Sequence, residues 1–149
     1  IGDFGPEVEE QLKAVATKLG AKGSIYYQDK PLGTAHAILC AAPSMEGELV
    51  VAFADTLFRA DFKLNHDADG VIWVKQVEDP SAFGVVELTG DGSISNFVEK
   101  PTKYVSDLAI IGIYHFKDGA NLRNELQYLI DNQVSLLSPV HKHAPFHLD

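Results

Sequence analysis

Cysteine is all but missing from this sequence: Cys40 stands alone, so no intramolecular disulfide can form and no cysteine cage can hold a metal. Its apolar surroundings make it a core thiol, a usage that suits a reducing compartment. Long apolar runs are missing too. No stretch approaches the roughly 20 residues of a membrane-spanning helix and nothing resembles a secretory leader, so the expectation is a soluble, cytoplasmic protein with no membrane role. Positive charge is scarce, since 12 basic against 21 acidic residues leave a net charge of −9. That excludes the basic footprint of a nucleic-acid or anionic-membrane binder, and any phosphate must be gripped locally, by backbone or by a metal. A Walker phosphate loop, a GxGxxG motif and a Ser-His-Asp order are absent. Methionine occurs once, at Met45, and the first residue is Ile1, which leads to the expectation that a further segment precedes the chain as given.

What is present is apolar patterning. A hydrophobic content of 46% in 149 residues suffices for one domain with a buried core. Pro6 at a first helical position, Glu7, Glu9 and Glu10 behind it and Gly20 past the end predict a helix over 6–19, with Val8, Leu12, Val15 and Leu19 as its apolar stripe. "SIYYQ" (24–28) reads as a strand, and 34–42 as a helix that stops before Pro43. "ELVVAFADT" (48–56) is a nearly continuous apolar run ending in an acid, the pattern of a parallel strand buried on both faces.

Strands follow at 70–77, 83–88 and 94–100, the last two joined by a Gly90-Asp91-Gly92 hairpin turn. "LAIIGIYHF" (108–116) is a further strand, and Asp118 caps an expected helix over 119–131 with Leu122, Leu126 and Leu129 or Ile130 facing inward. This order predicts an α/β fold, a mixed and mainly parallel sheet flanked by helices. Ligands in such sheets sit beyond the carboxyl ends of the parallel strands, where Gln28 and Asp55 fall. The core is expected over 1–131, with 132–149 as an irregular tail.

Several residue types in this frame can carry chemistry. Gly33 lets a ligand approach the backbone closely, and the helix opening at Thr34 presents N–H groups to a ring or an anion. Gln28 both donates and accepts, as reading a base edge requires, although an ordinary tight connection with a solvent-facing Gln uses the same residues. Asp55 closes an apolar strand, where a hard oxygen ligand can hold Mg²⁺ against phosphates or simply cap the next helix. Glu99 and Lys100 sit on opposite faces if the strand continues and together if it breaks, and Pro101 says that it ends. There Glu99 could accept hydroxyls and Lys100 neutralise a phosphate, or the pair could be a solvated strand end. "DADG" (67–70) starts like a calcium loop but lacks the closing acid, so it reads as a turn. His141, His143 and His147 have no carboxylate nearby, which argues against a metal centre in the tail.

Taken together, "QDKPLGTAHAI", "ELVVAFADTLF", "VEDPSAFGVVELTGDGSISNFVEKP" and "DLAIIGIYHF" resemble, in order and interval, the sugar-1-phosphate nucleotidyltransferases, the family of glucose-1-phosphate thymidylyltransferase and its uridylyl and guanylyl relatives. The resemblance covers about residues 1–131. It implies a Rossmann-like fold that is incomplete at the N-terminus, and transfer of a nucleotidyl group from a nucleoside triphosphate to a sugar 1-phosphate for nucleotide sugar synthesis. It implies that Gln28, Gly33 and Thr34 meet the nucleotide, that Asp55 is a catalytic ligand of Mg²⁺, and that Gly84 and Glu99 hold the sugar. Lys100 would be catalytic at the phosphate of the sugar 1-phosphate, and relatives of this kind form homo-oligomers. The family's Gly-rich, arginine-bearing triphosphate loop and its second metal-binding aspartate have no counterpart in these residues, so turnover by this chain alone is expected to be impaired. A non-catalytic paralogue that binds sugar phosphate or nucleotide is the rival expectation.

Overall fold

The computed structural model describes residues 1–59, 61 and 63–132. Its described residues fall into two compact units, 1–45 with 121–132, and 46–120.

In the first unit, α1 (Pro6–Lys18) carries proline in its first turn, Glu7 and Glu9 at its positive end and Lys18 in its last turn, as the sequence pattern predicts. Its stripe is not buried: Leu12, Val15 and Leu19 are 45%, 56% and 76% exposed. Residues 24–28 form no strand. Ile1 N donates to Tyr26 O and Gln28 N donates to Ile1 O, both at 2.9 Å, which is a single rung of parallel pairing around Tyr27. Helix α2 (Thr34–Leu39) is shorter than the expected 34–42, because the chain tightens into a 3₁₀ turn at Ala42–Ser44 that contains Pro43. Helix α3 (Gly119–Asp131) has the expected bounds, and Leu126 on its inward face is buried.

The second unit is built on a five-stranded sheet: β1 (Leu49–Ala52), β2 (Gly70–Gln76), β3 (Gly84–Leu88), β4 (Ile94–Glu99) and β5 (Leu108–Phe116). Among the described residues every strand pairing is antiparallel, which corrects the expectation of a mainly parallel sheet while leaving the chain a mixture of helices and sheet. The physical reason lies in β5. Its residues are buried or half-buried on both faces, and such a strand reads as a continuous apolar run whichever way its neighbours point. The run at 48–56 was over-read for a related reason: only four of its residues form β1, whose partner is β5 alone and whose burial alternates.

One edge of β5 is taken by β2 along its length. The other edge is shared, with β1 against residues 113–116 and β3 meeting it at Ala109. Between them β5 bulges at Gly112, with φ 78°. Phe53 N donates to Gly112 O at 3.0 Å, and the Phe53 ring lies over the place a side chain at 112 would fill. Ala68, Val71, Trp73 and Ile113 form the buried apolar cluster of this unit. Among the described residues no helix is long and apolar enough to cross a membrane.

Candidate functional site

The gap on the shared edge of β5 is flanked by Phe53, just past β1, and by Gly84 at the start of β3. β1 runs antiparallel to β5 from Phe116 toward Gly112, so its exit brings Phe53 to Gly112, and the exposed turn at Asp55 follows two residues later. β3 leaves the same gap in the opposite sense, with Gly84 at its start and Ile110 beside it. Glu99 pairs directly across from Gly84, and a methyl group added at Gly84 would lie 2.8 Å from Glu99 Oε2. Glycine is therefore what lets that carboxylate lie across the strand.

Lys100 is the one non-glycine residue with positive φ among the described residues, at 44°. Left-handed backbone costs a lysine about 1 kcal/mol, and the following Pro101 adds its own restriction. The strand ends at this break, with Lys100 N donating to Phe83 O at 3.0 Å. The alternation of a strand is lost, and Lys100 Nζ comes to 3.9 Å from Glu99 Oε1 with both groups exposed. A carboxylate, which accepts hydrogen bonds, and an ammonium, which donates them, thus lie side by side on the surface.

Tyr114 lines the same side. Burial, and then the negative charge of Glu99, push its phenol above the usual range, so it stays a neutral hydroxyl at physiological pH. Its ring stands edge-on to Phe53 at 5.9 Å and stacks with Phe116 at 6.4 Å. Asp55 accepts a hydrogen bond from the Thr56 hydroxyl at 3.3 Å and leaves its carboxylate facing solvent.

In the first unit, Gln28 is not a loose surface side chain. Its Nε2 donates to Gly33 O at 3.0 Å and lies 3.1 Å from His36 Nδ1, which holds the amide across the loop that opens α2. If both amide hydrogens are used in this way, the amide oxygen is the group offered outward. Gly33 precedes the helix with φ 93° and ψ −177°, a conformation reserved for glycine, and no side chain caps the helix. The first N–H groups at Thr34 are left without a side-chain cap.

The Nucleotidyl transferase family profile matches residues 5–135. The chain belongs to this nucleotidyltransferase family. It is 35% identical over 131 residues to the mannose-1-phosphate guanylyltransferase catalytic subunit beta of Drosophila pseudoobscura pseudoobscura, covering 81% of this chain and 35% of that protein. It is 30% identical over 164 aligned residues to the glucose-1-phosphate thymidylyltransferase of Streptomyces antibioticus, covering 94% of this chain and 46% of that one. A solved Bacillus anthracis structure described as a glucose-1-phosphate thymidylyltransferase in complex with sucrose shares the fold, with a TM-score of 0.72 at 20% identity over 99% of this chain and 64% of that chain. The chain spans less than half the length of these curated nucleotidyltransferases.

Three contributors in this family member escaped the sequence reading: Phe53, Gly112 and Tyr114. A glycine inside the apolar strand "IIGIY" was the available signal, since an isolated glycine there marks a bulge or a close approach. His141, His143, His147 and the rest of the expected tail beyond Asn132 lie outside the described residues.

Proposed function

We propose that this chain serves the transfer of a nucleotidyl group from a nucleoside triphosphate to a sugar 1-phosphate, giving a nucleotide sugar and pyrophosphate. The observation that carries this reading is the break at Lys100, where left-handed backbone sets a lysine beside Glu99, whose carboxylate lies over Gly84. Such strain persists where the surroundings over-determine it, and it clusters at ligand clamps. In this reading Glu99 accepts the sugar hydroxyls, Gly84 leaves room for the ring, and Lys100 neutralises the phosphate. Gln28, with Gly33 and Thr34, contacts the nucleotide base.

A phosphate oxygen of the sugar 1-phosphate then forms a bond to the α-phosphorus. The bond from that phosphorus to the bridging oxygen breaks, and the electron pair leaves on pyrophosphate. This chemistry asks mainly for positioning and charge neutralisation. Asp55 fits a magnesium ion, since an exposed carboxylate at a strand exit matches the one or two carboxylates that Mg²⁺ takes alongside phosphates and water. When bound, that ion supplies positive charge to the phosphates.

Calorimetry with glucose 1-phosphate and with nucleoside triphosphates, in the presence of Mg²⁺, tests the reading. The expected result is saturable heat that falls in Lys100→Ala for the sugar phosphate and in Asp55→Asn for the magnesium-dependent component. A folded parent chain that binds neither ligand overturns it.

A further inference from the structure

A second polar cluster lies on the other face of the same sheet. Consecutive strand residues point to opposite faces, so His115 faces away from Tyr114 and from the gap. Residues paired directly across a ladder share a face, and His115 pairs with Val50 on β1 and with Val71 on β2. Glu48, two residues before Val50, therefore approaches from the side of His115, and His66 approaches from the turn that leads into β2.

The distances are short. His66 Nδ1 is 2.8 Å and His115 Nε2 is 2.9 Å from the same oxygen, Glu48 Oε1, and the three donor atoms all lie within 4.8 Å of one another. His115 is fully buried, beside the apolar cluster that includes Val71 and Ile113. Its contact with Glu48 meets the distance of a hydrogen bond but not the direction, and among the described residues neither ring nitrogen has a hydrogen-bond partner. A buried imidazole left in that state loses its hydration without full recompense. A ligand that accepts its lone pair removes the cost.

We propose that Glu48, His66 and His115 form a binding site for a zinc-class divalent cation, with the fourth coordination position open to water. Two imidazoles and one carboxylate make a recurrent donor set for Zn²⁺, and imidazole selects zinc, cobalt or nickel over magnesium. Tetrahedral zinc with bonds of about 2.1 Å places its ligands about 3.4 Å apart, so small movements of exposed Glu48 and His66 convert the cluster. The site is separate from Asp55, which lies past the far end of β1, and it stands whether or not the nucleotidyl-transfer reading does.

The test uses the full chain, stripped with chelator, in a background where His141, His143 and His147 are changed to alanine so that the tail contributes no imidazole. Co²⁺ is titrated while its visible absorption is followed, and Zn²⁺ is then added in competition. The expected result is one equivalent of Co²⁺ with the intense absorption of a low-symmetry site, displaced by Zn²⁺. His66→Ala, a change at an exposed turn that leaves the buried face intact, weakens binding by at least about 100-fold, more than losing an outer hydrogen-bond partner costs a metal site. Glu48→Gln acts in the same direction. No cobalt signal in the parent background, or unchanged affinity in folded His66→Ala, overturns the proposal.

Discussion

Lys100 illustrates how a single residue can oppose stability and function. Its left-handed backbone is strained by about 1 kcal/mol, whereas glycine adopts that conformation freely but loses about 0.5–1 kcal/mol more chain entropy on folding. Lys100→Gly is therefore expected to stay within about 1 kcal/mol of the parent in urea denaturation while its heat with glucose 1-phosphate collapses. A matched loss of both would mean that the lysine is structural. Gly84→Ala acts through its neighbour: the new methyl needs the space of Glu99 Oε2, 2.8 Å away, so the carboxylate must swing aside. The expected outcome is a roughly tenfold weaker sugar 1-phosphate affinity, about 1.4 kcal/mol, with β3 and β4 still paired by amide exchange. Glu99 and Lys100 stood out in the sequence as candidates, and Gly84 through the family resemblance alone. The strand end at Pro101 was legible as well; the left-handed backbone by which residue 100 leaves the strand was not, because nothing in the local composition calls for positive φ at a lysine.

At the level of elements, the β3–β4 hairpin holds a pH dependence. The Thr89 hydroxyl donates to Asp91, and Ser93 N donates to Asp91 Oδ1 at 3.1 Å, closing the turn around Gly92. These bonds, that of Thr89 foremost, hold the Asp91 carboxyl below the usual aspartate range. A carboxyl with its folded pKa depressed stabilises the turn above its unfolded pKa and loses that contribution as pH falls through the folded value. The hairpin amides are therefore expected to lose exchange protection at acid pH below the ordinary aspartate range, and Asp91→Asn to remove that step; a step that survives the substitution would assign it elsewhere. The bulge in β5 is the second element with a test. Gly112→Ala meets positive φ and a Phe53 carbon at 3.1 Å together, and is expected to cost about 1–3 kcal/mol in urea denaturation. Except for the strand expected at 24–28, the strands and helices were readable from period and punctuation, and α3 and β5 fall at their expected bounds. The shortening of β1 and α2 was not readable, because a partner on one edge and a 3₁₀ tightening are decided by neighbours and not by local composition.

For the molecule as a whole, the described apolar core is concentrated in the second unit, around Val71, Trp73 and Ile113. Ile113→Ala is expected to cost about 2–5 kcal/mol there, measured by the denaturant midpoint, since Ile113 is 2% exposed and the strands on either side of it cannot collapse inward. By itself the sequence determined where most helices and strands form, that the chain mixes helices with an apolar sheet, and which family the four ordered motifs belong to. Those properties follow from side-chain period, turn residues and local spacing, all of which are written along the chain. Tertiary structure alone decided that the strands pair antiparallel, that β1 and β3 share one edge of β5 with a gap between them, and that Tyr114 joins Phe53 and Glu99 there. It also decided that Glu48, His66 and His115 meet on the opposite face, because a register between strands brings together residues that no local pattern connects.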